Sequence, residues 1–177
     1  KKMFDAYPEE REQRLGEPFR PFEIGTDYLL LVDGKPREYG AKEFLSSRGI
    51  LLPMGSSEDT ADMETVWGLG NRKNDMVQEI IRTKGVQAFP GSVRLLHRLR
   101  REGIRTAVVT SSTNAELTLE AAGIADLFDA KVDGNVAADL DLAGKPKPDT
   151  YLEAARRLAT EPARAVVIED ALSGVQA

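Results

Sequence analysis

Ile104-Arg105-Thr106-Ala107-Val108-Val109-Thr110-Ser111-Ser112-Thr113-Asn114 runs from a short β-rich stretch into four hydroxyl side chains and an asparagine. A helical pattern continues to about Ala122 and stops at Gly123. A strand that turns through small polar residues straight into a helix is the repeating unit of a parallel sheet. The same alternation extends on both sides. Upstream, Ser92 can cap a helix with apolar positions Val93, Leu95, Leu96 and Leu99, and Gly103 is a natural stop. Downstream, a brief strand is expected over Ala130–Val132, a long loop over Asp133–Lys147, and a helix over Thr150–Ala159 capped by Asp149. A last strand is expected over Ala165–Ile168. This pattern predicts an α/β core with a parallel sheet.

The character changes near Gly85–Gly91, so residues 1–87 and 88–177 are expected to form separate domains. The first has no strand–helix alternation. Ala41–Arg48 and roughly Asp62–Arg82 read as helices. Met63, Val66, Trp67, Met76, Val77, Ile80 and Ile81 form an apolar stripe expected to pack in a core. The 177 residues are 41% hydrophobic and 30% charged, with a net charge of −5. No Lys/Arg-rich run offers a footprint for nucleic acid, and no apolar run is long enough to span a bilayer. The chain contains no cysteine, which excludes disulfides and thiolate metal sites. No signal-peptide pattern opens it, and a cytoplasmic protein is expected. The first residues read as helix and the last as mid-helix, so the chain is expected to be truncated at both ends. Oligomeric state is not legible.

Three polar clusters sit where strands should end, which is where ligands bind in open parallel sheets. They are Thr110-Ser111-Ser112, Gly144-Lys145-Pro146-Lys147-Pro148-Asp149, and Glu169-Asp170. A hydroxyl with adjacent backbone N–H groups can hold phosphate oxygens. A fixed lysine can neutralise charge on a transferring group. A carboxylate pair suits Mg²⁺, a hard cation with oxygen ligands. Taken singly, each has a plain alternative. Thr and Ser commonly cap helices, and Lys-Pro-Lys-Pro commonly forms a solvated extended loop. The side-by-side acids are harder to explain as decoration, and the order of the three clusters is the stronger signal. His97, the one histidine, falls on a surface helix and not in a catalytic cluster.

Those clusters, with Val-Ile-Glu169-Asp170-Ala-Leu-Ser-Gly-Val-Gln-Ala, resemble motifs two, three and four of the haloacid dehalogenase (HAD) superfamily from about Phe89 onward. Val32-Asp33-Gly34-Lys35-Pro36-Arg37 and Arg72-Lys73-Asn74-Asp75 resemble cap segments of its β-phosphoglucomutase-like branch. The resemblance implies a Rossmannoid parallel-sheet core with a helical cap. It also implies Mg²⁺-dependent phosphoryl transfer on a small-molecule sugar phosphate, interconverting β-glucose 1-phosphate and glucose 6-phosphate through an aspartyl phosphate and a bisphosphate. Thr110 and Lys145 would bind the transferring group and Ser111 and Asn114 the substrate. Glu169 and Asp170 would hold the metal. Arg37 would grip the non-transferring phosphate, with Lys73 and Asn74 recognising the sugar phosphate.

The family's nucleophile, an aspartate in Asp-x-Asp-Gly, has no counterpart. Leu31 stands at the required position before Asp33-Gly34, and Lys131 before Asp133-Gly134. Asp139-Leu140-Asp141-Leu142 has two aspartates but comes after no strand and lacks the glycine. The nucleophile is therefore expected to lie outside this chain. A sugar-phosphate phosphatase of the same fold, or a non-catalytic binding or regulatory module that kept it, are the alternatives.

Overall fold

The computed structural model describes residues 2–177, with side chains from residue 4 onward. Its backbone divides into two compact units, Lys1–Val77 and Gln78–Ala177. No helix among the described residues is long and apolar enough to cross a membrane.

The first unit is helical, built from α1 (Lys2–Leu15), α2 (Arg37–Ser47) and the start of α3 (Val66–Lys84). Between α1 and α2 runs a widened helical segment, Ile24–Val32. Its i→i+5 bonding is visible in Tyr28 N–H to Glu23 O at 3.3 Å and Asp33 N–H to Tyr28 O at 2.8 Å. The core is aromatic: Phe4 stacks on Phe22 with ring centroids 4.7 Å apart, and Phe44 tilts against both. Tyr7, Val32, Leu45, Ile50 and Leu69 complete it.

The expected methionine and valine stripe is only partly right. Val66 and Ile81 are buried, and Trp67 and Met76 are half-buried. Met63 is exposed because α3 starts at Val66 and leaves it outside the helical periodicity, and Val77 and Ile80, though inside α3, are exposed as well. The phenylalanines carry the packing instead. They lie far apart in sequence, where no short-range period connects them.

A buried ion pair ties the widened segment to α2. Arg48 donates to both Asp27 oxygens, at 3.2 and 2.5 Å, and also to the carbonyls of Arg20 and Pro21. Its guanidinium lies 4.7 Å from the Phe44 ring centroid. Arg48 and Asp27 side chains are 6% and 5% exposed.

The second unit holds β1 (Ala107–Val109) and β2 (Ala130–Val132), paired in parallel with Ala107 opposite Ala130 and Val109 opposite Val132. The helices are α4 (Pro90–Arg101), α5 (Ala115–Ala121), α6 (Gly134–Asp139), α7 (Asp149–Arg157) and α8 (Leu172–Gln176). α7 packs on both strands. Gly103 and Gly123 take positive φ, +70° and +66°, and end α4 and α5 as expected.

Several expectations are corrected. Ser92 is not the cap of α4. Pro90 occupies its first turn with Phe89 at the cap, a place where proline's missing N–H costs nothing. Asp149 does not cap α7 but opens it, after Pro148. Asp133–Lys147 is not all loop, because the Asp133 carboxylate accepts from Val136 N–H at 3.0 Å and starts α6. Asp139 ends that helix, so the Asp139–Leu142 stretch, read from sequence as following no strand, begins in a helix and is not wholly loop. Ala165–Ile168 is not a strand. It has no ladder partner among the described residues, and Val166 and Ile168 are 89% and 81% exposed. An apolar run alone does not make a strand without a second backbone to accept its hydrogen bonds.

Removing Arg48 takes the two short charged contacts from the buried Asp27 carboxylate and leaves only Glu23 N–H and the longer 3.7 Å contact of Arg20, so Arg48→Ala should destabilise the first unit by about 3 kcal/mol at neutral pH. The Arg48 hydrogen bonds hold the Asp27 carboxyl below the usual carboxylate range. Its stabilisation is therefore present above the unfolded value, near ~4, and is lost as pH falls below it. Urea unfolding of both proteins should show a gap that narrows below about pH 4.

Candidate functional site

Where β1 ends, the backbone continues one more ladder bond, Thr110 N–H to Val132 O at 3.0 Å. The hydroxyls then fold the turn. Thr110 Oγ1 accepts from Ser112 N–H, and Ser112 Oγ accepts from Asn114 N–H, each at 3.1 Å. Gln78 Nε2 donates to Asn114 Oδ1 at 3.0 Å, which orients that amide. Thr110, Ser111 and Asn114 thus lie in one turn.

Residues after β2 support this turn from beneath. Gly134 N–H donates to Ser112 O at 3.0 Å, and Asn135 Nδ2 donates to Thr113 O at 3.1 Å. A Cβ on Gly134 would lie 2.7 Å from Ser111 O and 3.0 Å from Thr113 Cγ2. Asp133-Gly134 is therefore a buttress of the hydroxyl turn. Its likeness to a nucleophile motif has no counterpart in its geometry.

Lys145 and Glu169 meet although 24 residues separate them. Lys145 Nζ lies 2.5 Å from Glu169 Oε2, and the side chains are 6% and 14% exposed. Tyr151, on α7, donates its hydroxyl to the same oxygen at 2.6 Å, and its ring centroid is 4.9 Å from Nζ. Ala171 N–H binds the other oxygen, Oε1, at 3.0 Å. Burial pushes the Glu169 carboxyl up, but the bonds from Lys145, Tyr151 and Ala171 outweigh it and bring its pKa to about 2. Burial likewise opposes the charge on Lys145, and the bonds to Glu169 and Tyr151 win, so its pKa rises. The site keeps a charged ammonium and a charged carboxylate at neutral pH. Gly174 makes room for this arrangement, since a Cβ there would lie 2.3 Å from Glu169 Cδ.

Asp170 is exposed beside this cluster. No group of three or more His, Cys, Asp or Glu side chains among the described residues could hold a metal ion. The donor set nonetheless suits a hard cation in part. Asp170 offers an exposed carboxylate, whereas Glu169 spends both oxygens on neighbours.

The first unit gathers cations of its own. Arg37 begins α2 and donates from Nη1 to Asn71 Oδ1 at 2.8 Å. Lys73, one turn along α3 from Gly70, lies 5.9 Å from the Phe4 ring centroid. Its pKa is lowered, first by burial and then by the positive charge of Arg37. Asn74 comes next on the same helix and is half-buried.

Tyr151, Gln78, Gly134 and Gly174 were missed by sequence reasoning. Glycine shows its value only when its neighbours are known. Tyr151 could have been found, because it lies six residues after Lys145 at helical spacing from the Pro148 cap.

The description of the matching family is haloacid dehalogenase-like hydrolase, and the match spans residues 5–177. A β-phosphoglucomutase of Mycobacterium bovis is 49% identical over 177 residues, which is 100% of this chain and 68% of that protein. Hexitol phosphatase A of Escherichia coli is 38% identical over 101 residues, 55% of this chain and 44% of its own. In fold, the crystal structure of a Clostridium difficile β-phosphoglucomutase superposes with a TM-score of 0.73 at 21% identity, over 98% of this chain and 71% of that one.

Gly134→Ala should push the hydroxyl turn away from β2, with a loss of about 1–3 kcal/mol from overpacking. Thermal unfolding measures the loss, and amide chemical shifts of residues 110–114 should move more than those of α4.

Proposed function

This chain belongs to the haloacid dehalogenase-like hydrolase family, and on that premise we propose that it carries the phosphate-binding and cap residues of a β-phosphoglucomutase. It is of the phosphomutase and phosphatase type of enzyme. The finer reading is transfer of a phosphoryl group between the 1- and 6-positions of glucose, from β-glucose 1-phosphate to glucose 6-phosphate. The observation that carries it is Arg37, held at the start of α2 by Asn71, in the same unit as the half-buried Lys73. Hydrolysis needs one phosphate grip, whereas a mutase must hold a bisphosphate by both ends.

In this reading Thr110 and Ser111 bind oxygens of the transferring phosphoryl group. Lys145 offsets the charge that gathers on it, in line with the electrostatic character of phosphoryl transfer. Glu169 and Tyr151 hold Lys145 in place, and Asn114 contacts substrate. Arg37 clamps the non-transferring phosphate through its planar donors, helped by Lys73 and Asn74. Asp170 is the residue of this chain that would hold Mg²⁺, with Glu169 beside it. That ion, when bound, supplies a Lewis acid for phosphoryl oxygens. The carboxylate nucleophile is contributed by a residue that this sequence does not contain.

The test is an assay of the complete enzyme on β-glucose 1-phosphate primed with the 1,6-bisphosphate. Glucose 6-phosphate should form. Release of inorganic phosphate in its place would establish a phosphatase, the activity named in the hexitol phosphatase relative. Lys145→Ala should lower turnover about a thousandfold. Because Glu169 then loses its counter-charge, the measurement belongs beside the double variant Lys145→Ala/Glu169→Gln, which should fold and stay inactive. Arg37→Ala should slow the mutase reaction about a hundredfold while sparing hydrolysis of a small monophosphate. Equal losses on both would show that Arg37 is no second-phosphate clamp.

A further inference from the structure

The geometry points to Asn71 as the residue that positions Arg37, an inference that rests on the reading of Arg37 as a phosphate clamp. Arginine has a long, flexible side chain, and a clamp on a distal phosphate works only if its guanidinium is already aimed. Arg37 lies at the first position of α2, so the helix fixes its backbone but not its planar head. Asn71, on α3, accepts from Arg37 Nη1 at 2.8 Å.

What makes that bond directional is the other end of the Asn71 amide. Nδ2 donates to Asp59 O at 2.8 Å and to Ser57 O at 3.1 Å. Both amide hydrogens therefore meet carbonyl oxygens, and carbonyls accept without donating. A flipped amide would set Oδ1 against two acceptors and turn a donor toward a cation. The side chain is thus locked in the one orientation that presents oxygen to Arg37.

The loop that supplies those carbonyls is itself braced. Thr65 Oγ1 donates to Asp59 Oδ2 at 2.5 Å, and Ser56 Oγ donates to Asp59 Oδ1 at 3.1 Å. Beside Asn71, Gly70 gives the Arg37 stem its space: a Cβ there would lie 3.0 Å from Arg37 Cγ and 3.3 Å from Cδ. Gly70 and Asn71 together form a slot for the arginine, open along the stem and polar at the head.

The function of this arrangement is preorganisation. Asn71 touches no reacting atom; it acts through Arg37 by holding one guanidinium nitrogen and so fixing the plane of the whole head. Its contribution therefore falls on binding of substrates whose non-transferring phosphate Arg37 holds, β-glucose 1-phosphate and the bisphosphate alike, and not on the chemical step.

The experiment is a double-mutant cycle in the complete enzyme. Asn71→Ala should raise KM for β-glucose 1-phosphate and for the 1,6-bisphosphate about tenfold, the scale of one hydrogen bond to a charged group. Its kcat, and hydrolysis of a small monophosphate such as p-nitrophenyl phosphate, should stay within about twofold. In an Arg37→Ala background, Asn71→Ala should add nothing. Additive effects across the cycle, or equal losses on the small substrate, would show a merely structural residue and overturn the inference. A raised KM in Arg37→Ala with an unchanged KM in Asn71→Ala would overturn it while leaving the clamp standing. An unchanged KM in Arg37→Ala would remove the clamp and the inference together. Circular dichroism melting of each variant identifies a change that comes from unfolding of the cap.

Discussion

The parallel register of β1 and β2 is the constraint on which the core's chemistry depends. Parallel strands leave the sheet in the same direction, so the residues after Val109 and those after Val132 must share one edge. That alone brings Thr110–Asn114 against Asp133–Asn135. Each side then completes the other: Gly134 and Asn135 donate to the carbonyls of Ser112 and Thr113, and the hydroxyls of Thr110 and Ser112 turn the chain toward α5. A one-residue slip would replace Gly134 with Asp133 or Asn135 at the close approach, where there is no room for a side chain.

Lys145 and Glu169 show a second constraint, which electrostatics imposes. Two charged groups drawn this far from water must be paired and hydrogen-bonded. Tyr151 and Ala171 complete the pairing. Glu169 thus spends both oxygens on Lys145, Tyr151 and Ala171, while the Asp170 carboxylate is exposed.

Legibility tracked the range of the interactions. Lys145 and Glu169 were singled out in the sequence because charged residues beside Pro-rich turns and after apolar runs are conspicuous, and the structure brings them together. α5 and β2 were visible because their signals are local: a glycine stop after the helix, and for the strand a short stretch that ends in the β-branched Val132. The failures were those of context. Ala165–Ile168 has the composition of a strand and lacks a partner, Ser92 has the chemistry of a cap and lies behind Pro90, and the Phe4–Phe22–Phe44 cluster joins residues that no periodicity links. The supporting residues Gly134, Gly174 and Asn71 were invisible for the same reason. Their worth lies in what approaches them.

The closeness of Arg37 and Lys73 has a thermodynamic consequence. Lys73 is half-buried, and burial together with the charge of Arg37 lowers its pKa. An anion that binds beside them, and to the folded form alone, raises the free energy of unfolding in proportion to the logarithm of its concentration. On the proposed reading, in which that anion is a substrate phosphate, resistance to unfolding and proteolysis would rise with the ligand's concentration.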